Sequence, residues 1–301
     1  MLRIEGPYLE FAKFETSLLG FLGHQSGIAT RALETRRAAP ESQILSFGAR
    51  HVHPSIAAIV ERGALIGGLD GFSNTTAGEI IGREASGTMP HALVLCYGRG
   101  EQQAAWEAFD DAVDPDVPRI ALCDTFSDEV EEVLEAAKAF GEDLDGIRLD
   151  TTHSRRGDFE HIVREVRWAL EAAGYDDIDI FVSGGLSPTD LEQLRDVADG
   201  FGVGSYISNV DPIDFSLDIV EINGEPISKR GKLPGVKDIY RTSDGGHSVA
   251  LADRESPSNG ESLLEPLLAN GEVVREFDLN ETAARAATDA ETVGFGRIAS
   301  T

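Results

Sequence analysis

Lysine is what this 301-residue chain has least of among its charges. There are five, Lys13, Lys138, Lys229, Lys232 and Lys237, and arginine supplies the rest of the 26 basic residues. Against 53 acidic residues they leave a formal net charge of −27. No basic stripe exists to displace counterions from a phosphate backbone, so nucleic acid is excluded as a partner. A carboxylate-rich, lysine-poor surface suits a cytoplasm of high salt, where repulsion is screened. Only two cysteines occur, Cys96 and Cys123, which excludes a disulfide framework; both lie in apolar runs and read as packed thiols. No apolar stretch is long enough to span a bilayer, and Met1 to Glu5 has no signal-peptide layout, so the reading is cytoplasmic with no membrane partner. There is no Walker A loop and no Gly-x-Ser-x-Gly elbow.

What is present is a series of short apolar runs, each ending at glycine or polar residues. They are Gln43 to Phe47, Leu69 to Phe72, Ala92 to Cys96, Ile120 to Cys123, Gly146 to Leu149, Ile180 to Val182 and Gly200 to Val203. Such runs suit strands buried on both faces, and the helical patterns between them predict parallel strands joined by crossovers. Ligands then bind at the carboxyl ends of the strands.

Residues 2 to 11 read as an opening strand broken by Gly6-Pro7, followed by a helix from Phe14 to Arg37. Val130 to Phe140 and Phe159 to Ala173 are amphipathic helices, and Ser187-Pro188 starts another as N-cap and N1. After Ser205 the pattern turns antiparallel. Hairpins are predicted around Asn223-Gly224 and Gly245-Gly246, a surface loop at 256–260 and an alanine-rich helix at 281–291. Three parts result: 1–37, 38–212 with the site, and 213–301, the first pairing with the last in a discontinuous second domain.

Several strand ends carry chemistry. Ser183-Gly184-Gly185 leads into the helix capped by Ser187, and its amides together with the helix end suit a phosphate. Gly202 and Gly204 end the next strand and offer further amides. Arg148 and Asp150 share one side of a strand, either as a structural ion pair or with Asp150 on ribose hydroxyls or magnesium and Arg148 on an anion. Phe47 and Arg50 pair a flat ring with a cation, as an aromatic acid requires. His91 opens an apolar run and is either structural or functional. His51 and His53 would share a strand face, but nothing nearby completes a metal site. Arg155-Arg156-Gly157-Asp158 is either a mobile anion-binding loop or a solvated helix start.

Taken together, Phe14 to Gly20, Gln25 to Thr30, Ser46 to Arg50, Gly87 to His91, Arg148 to Asp150, Ser183 to Gly185, Gly202 to Gly204, Lys232 to Lys237 and Tyr240-Arg241 resemble the nicotinate phosphoribosyltransferases, closest to the archaeal branch. The resemblance implies an α/β fold: an irregular type II phosphoribosyltransferase barrel joined to an α/β sandwich. It implies a homodimer, or a higher homo-oligomer, with sites at subunit boundaries. The implied reaction makes nicotinate mononucleotide from nicotinate and phosphoribosyl pyrophosphate for NAD synthesis, with Mg2+ and, in coupled members, ATP. By motif position, Phe47 lies against the pyridine, Arg50 and Arg148 bind anionic groups, and Asp150 takes the ribose hydroxyls. Ser183, Gly184, Gly185, Gly202 and Gly204 take the 5′-phosphate, and His91 is the residue phosphorylated in ATP-coupled members.

Substrate choice falls near Ser73, Asn74 and Thr75. Related enzymes that take nicotinamide place aspartate at the position of Asn74, where a carboxylate would repel nicotinate. Quinolinate, with a second carboxylate, is the weaker alternative because no lysine occurs between Lys13 and Lys138. The family carries a further N-terminal section before the strand that opens here. A shortened form, or a non-catalytic paralogue that binds phosphosugar without turnover, is therefore the second alternative.

Overall fold

The fold comes from a computed structural model that describes residues 1–242, 245–252 and 260–295. The expected loop at 256–260 lies outside those residues, except for Gly260. The chain opens with a short helix, Tyr8–Phe11 (α1), and a long one, Glu15–Ala38 (α2). No strand forms between residues 2 and 11, which corrects the first expectation. The run Tyr8-Leu9-Glu10-Phe11 lacks β-branched residues, Pro7 is pre-set for a helix start, and Tyr8 meets Phe11 edge-on one turn later, with ring centroids 5.7 Å apart.

The chain divides into two compact units, residues 28–210 and a discontinuous one of 1–27 with 211–301. The first is built on six parallel strands: β1 (Gln43–Ser46), β2 (Gly71–Phe72), β3 (Ile120–Leu122), β4 (Gly146–Leu149), β5 (Asp179–Ser183) and β6 (Gly200–Val203). Their order is β2-β1-β6-β5-β4-β3, the parallel array of a barrel-like α/β fold. The crossovers carry α3 (Ala57–Ile66), α4 (Thr75–Ile81), α5 (His91–Tyr97), α6 (Gln102–Ala112), α7 (Glu129–Phe140), α8 (His153–Arg156), α9 (Phe159–Ala173) and α10 (Pro188–Leu194). A last short helix, α11 (Ser205–Ser208), follows β6. Ile44, Leu122, Ile147, Leu149, Ile180, Val182 and Phe201 are buried among these helices, as strands covered on both faces require.

The seventh expected strand, Ala92 to Cys96, is instead the helix α5. A short apolar run fits either state, and one-sided burial decides it. Val94 is buried while Leu95, Cys96 and Tyr97 face solvent, and Gly98 ends the helix at φ +100°. Cys96 is therefore not a packed thiol. Cys123, directly after β3, is fully buried, and both cysteines are free.

Aspartates organise the amino ends of the strands. Asp70 accepts from the Ile44 amide at 2.7 Å, Asp145 from Arg119 at 2.6 Å and Asp199 from Ile180 at 2.7 Å. Arg36 and Arg167 bind Asp70 and Asp199 in turn. Each carboxylate thus satisfies a backbone donor that the sheet leaves open.

The second unit is antiparallel. β7 (Glu221–Ile222) and β8 (Glu225–Pro226) form a hairpin whose turn residues Asn223 and Gly224 both have positive φ, as a type I′ turn demands. β9 (Lys237–Arg241) pairs with β10 (His247–Leu251) and with β11 (Glu261–Ser262). β12 (Leu268–Ala269) and β13 (Glu272–Val273) make a second hairpin. The terminal helix α12 (Leu279–Thr292) is held to β9 by Arg241 and Asp289, 2.5 Å apart. Among the described residues no helix is long and apolar enough to cross a membrane.

Candidate active site

The carboxyl ends of β3, β4 and β5 and the start of α5 bring five polar side chains together. Asp150 follows β4, and its amide donates to Asp124 Oδ2 at 2.6 Å. Asp124 Oδ1 lies 2.9 Å from His91 Nε2, and the Asp124 side chain is 1% exposed. The other ring nitrogen, Nδ1, is 3.9 Å from Asp150 Oδ2. Ser183, the last residue of β5, donates to Asp150 Oδ1 at 3.1 Å and accepts from Arg148 at 2.9 Å. Arg148 also donates to the Met89 carbonyl at 2.6 Å and lies 3.6 Å from Asp150.

These contacts decide the charge of the cluster. The hydrogen bond from His91 to Asp124 raises the histidine pKa above its usual value, against a smaller opposing effect of burial. Burial pulls the Arg148 guanidinium down, while Asp150 and Asp124 hold it up. Two aspartates outnumber the one guanidinium, which leaves a negative surplus for His91 to meet, and His91 and Asp150, each about one third exposed, are the members that meet solvent.

Asp124 was not singled out among the sequence motifs, although it anchors both His91 and Asp150. It follows a strand as any loop aspartate does, and its histidine partner is 33 residues away. Its loop is fixed by Glu132 of α7, fully buried, whose carboxylate accepts from the amides of Thr125, Phe126 and Ser127 at 2.6–2.9 Å. His91 opens a helix rather than a strand, and Met89 just before it contributes a carbonyl to Arg148.

The glycine turn after β5 has an unexpected construction. Gly184 and Gly185 take φ of +97° and +68°, and a Cβ on Gly184 would sit 2.6 Å from Asp150 Oδ1. Their amides donate to no acceptor among the described residues. The following helix end is a different matter: α10 has seven residues, and Ser187 and Asp190 form a capping box, with the Ser187 amide 2.7 Å from Asp190. That carboxylate removes the helix end as an anion site, so the donors on offer are the two glycine amides. Arg156, expected on a mobile or solvated segment, is buried against this turn.

A second group forms at the ends of β1 and β6. The Phe47 amide donates to Val203 at 2.8 Å, and its ring lies on Gly202, where any Cβ would overlap it. Gly202 therefore makes room for an aromatic ring, a constraint on its missing side chain and separate from its amide. His51 lies in a 3-10 turn (Gly48–His51) beside Gly204, and His53 precedes the next turn, so the two do not share a strand face. Among the described residues no group of three metal-ligating side chains occurs. Arg50 is exposed and has no hydrogen bond or ion pair with the described residues.

Ser73, Asn74 and Thr75 follow β2 at the sheet edge, two strands from β6. The Asn74 carbonyl oxygen caps α4 by accepting from Ala77 at 2.8 Å, which leaves its NH2 group available. Beneath the Phe47 turn lies Glu61 of α3, fully buried and with neither carboxyl oxygen in a hydrogen bond of ordinary geometry. Burial pushes its pKa up to about 7, opposed by the nearby Ser46 hydroxyl and Ala49 amide.

Comparison with known proteins places this geometry among relatives. Residues 28–218 match the family described as quinolinate phosphoribosyl transferase, C-terminal domain. The chain is 31% identical over 287 residues to nicotinate phosphoribosyltransferase pncB2 of Mycobacterium tuberculosis, covering 90% of this chain and 60% of that protein. A nicotinate phosphoribosyltransferase of Bacillus subtilis is 28% identical over 283 residues. Among solved structures, the nicotinate-nucleotide pyrophosphorylase of Pyrococcus furiosus superposes with a TM-score of 0.89 at 46% identity, covering 96% of this chain and 76% of that one. Human nicotinic acid phosphoribosyltransferase shares the fold, with a TM-score of 0.77 at 23% identity. The chain spans about 60% of the length of the curated relatives from Mycobacterium tuberculosis.

Proposed function

The chain belongs to the family of the quinolinate phosphoribosyltransferase C-terminal domain, and on that premise we propose that it transfers the phosphoribosyl group of phosphoribosyl pyrophosphate to nicotinate, for NAD synthesis. The C1′–O bond to pyrophosphate breaks with its electron pair leaving on oxygen, and the pyridine nitrogen forms the C1′–N bond. No general base is needed for a pyridine lone pair. Catalysis then rests on position and on charge held where the ribosyl cation and pyrophosphate develop.

The observation that carries this reading is the His91–Asp124–Asp150–Arg148 cluster, built at the ends of the adjacent strands β3 and β4 with His91 reaching in from the start of α5. Asp150 takes the ribose hydroxyls and faces the developing positive charge at C1′. His91, its pKa raised by Asp124, offers positive charge to the departing pyrophosphate. The Gly184 and Gly185 amides take the 5′-phosphate. Phe47 lies against the pyridine ring, and Arg50 pairs with its carboxylate. Magnesium would arrive on the pyrophosphate, whose oxygens supply most of its ligands, and Asp150 is the carboxylate offered to it.

Quinolinate is the second reading, favoured by the family description and by the name of the Pyrococcus furiosus relative. Arginine supply weighs against it. Arg148 and Arg156 are committed to protein acceptors, so the pyridine carboxylate falls to Arg50, on the turn that follows Phe47. Arg155 is exposed as well, but on α8 after β4 rather than on that turn. One cation beside the ring suits one carboxylate.

The test is incubation of the purified chain with phosphoribosyl pyrophosphate, Mg2+ and either acid. Nicotinate is expected to yield nicotinate mononucleotide without carbon dioxide; carbon dioxide from quinolinate alone would reverse the assignment. Binding of phosphoribosyl pyrophosphate without product from either acid would make the chain a non-catalytic paralogue. Release of ADP in the same mixture with ATP reads coupling to ATP, and its loss in His91→Asn assigns the phosphoryl acceptor to His91. A homodimer or higher homo-oligomer belongs to the proposal and is read by light scattering.

A further inference from the structure

We propose that Arg156 is the positioning residue of the glycine turn, holding two carbonyls back so that the Gly184 and Gly185 amides stay turned toward an anionic group. Arg156 ends α8 and is 5% exposed. Its Nε donates to the Thr151 carbonyl at 2.6 Å, and its Nη2 donates to the Ser183 carbonyl at 3.0 Å and to the Gly184 carbonyl. The guanidinium rests over the Phe159 ring, 4.6 Å from its centroid. One planar fork thus ties the segment after β4 to the turn after β5.

The consequence follows from peptide geometry. In a trans peptide the C=O and the next N–H point in opposite directions. Fixing the Ser183 and Gly184 carbonyls on Arg156 therefore turns the Gly184 and Gly185 N–H groups away from the guanidinium, side by side. Successive amides in a tight turn can make an anion-binding concavity; both glycines here have positive φ, and neither amide has an acceptor among the described residues. No side chain fits at Gly184: a Cβ would meet Asp150 Oδ1 at 2.6 Å and Arg156 Nη2 at 2.7 Å. Arg156 is spent on main-chain carbonyls with Asp190, Asp150 and Asp124 around it, so its role is to aim the turn. A lysine, a point charge without the fork, could not hold the Thr151 carbonyl and the two turn carbonyls together in one plane.

This inference rests on the reading that the turn takes the 5′-phosphate, and the experiment separates the two. Affinities of nicotinate mononucleotide and of nicotinate riboside, which lacks the phosphate, are measured by calorimetry for the wild type, Arg156→Gln and Arg156→Lys. The expected result is a preference for the mononucleotide in the wild type that falls about tenfold in Arg156→Gln, the size of one lost charge-assisted hydrogen bond. Arg156→Lys is expected to lose most of the preference too, with riboside affinity kept in both. A variant that keeps the full wild-type preference, Arg156→Lys included, overturns the proposal, as does an equal loss for both ligands. A wild type without any preference sinks the phosphate reading itself. Should Arg156→Gln fail to fold, Phe159→Leu, which removes only the ring beneath the guanidinium, is expected to lower the preference less but in the same direction; an unchanged preference there overturns the aim assigned to Arg156.

Discussion

Single residues decide what the strand ends can do, and two of them act from concealment. Asp124 sets the charge of His91 and the position of Asp150 from a side chain that scarcely meets solvent. Glu61 does the reverse: it is a buried carboxyl with no firm partner, whose pKa is about 7 instead of 4.5. Between those values the folded state binds more protons than the unfolded one, so this group lowers stability as pH rises through that window. The shift corresponds to about 3 kcal/mol. Glu61→Gln is therefore expected to match the wild type near pH 4.5 and to melt higher above pH 7. Denaturant titrations at a series of pH values would show it, and parallel curves for the two proteins would rule it out. Charged groups on the packed neighbours (Arg50 and His51 on the turn, Glu79 on α4) are common to both, so the difference belongs to Glu61. None of this was legible in the sequence, because burial and partnership are properties of the folded chain. Arg148, Asp150 and Ser183 were legible because charged or glycine-flanked residues at the end of an apolar run rarely serve packing alone.

At the scale of elements, helix ends were read well and strand identity less so. The helix Phe159–Ala173 begins after the Asp158 cap and ends at Gly174 in the left-handed region, both local signals. The run Ala92 to Cys96 was misassigned because five apolar residues fit a buried strand or one helix face equally, and the opening segment at 2–11 because Pro7 starts a helix there instead of interrupting a strand. The glycines of β6 were read as phosphate donors, yet Gly202 makes space for the Phe47 ring, a contact between strands 155 residues apart in sequence that no local pattern reveals. Gly202→Ala is accordingly expected to displace that ring, costing about 1–3 kcal/mol of stability. It should raise the KM for the pyridine acid more than the KM for phosphoribosyl pyrophosphate. Steady-state kinetics with each substrate varied separately would reveal the asymmetry, and equal changes would place Phe47 away from the pyridine.

For the whole molecule, the parallel order of strands was legible from alternating strand and helix signals. The antiparallel unit was legible from Asn223-Gly224. Charge was legible as a number, and the structure shows where the cations go. Arg31, Arg36, Arg119, Arg164, Arg167 and Arg241 are each bound to a carboxylate, and Lys229 and Lys232 share Asp218. With 53 acids against 26 bases, more than half of the carboxylates cannot each have a cation of their own. We propose that salt is what quiets them. Raising KCl from 0.1 to 1 M shortens the screening length from about 10 to about 3 Å, and the melting temperature is expected to rise by several degrees. A flat or falling profile would refute that.

The aspartates that close the amino ends of the strands have a wider consequence. Asp70, Asp145 and Asp199 grip the sheet at one pole, while the side chains proposed for the reaction gather at the other. Heat tolerance and turnover thereby become separately adjustable traits. Drift among those three aspartates and their arginines can recalibrate the chain to a new climate while its taste in ligands evolves, undisturbed, at the opposite rim.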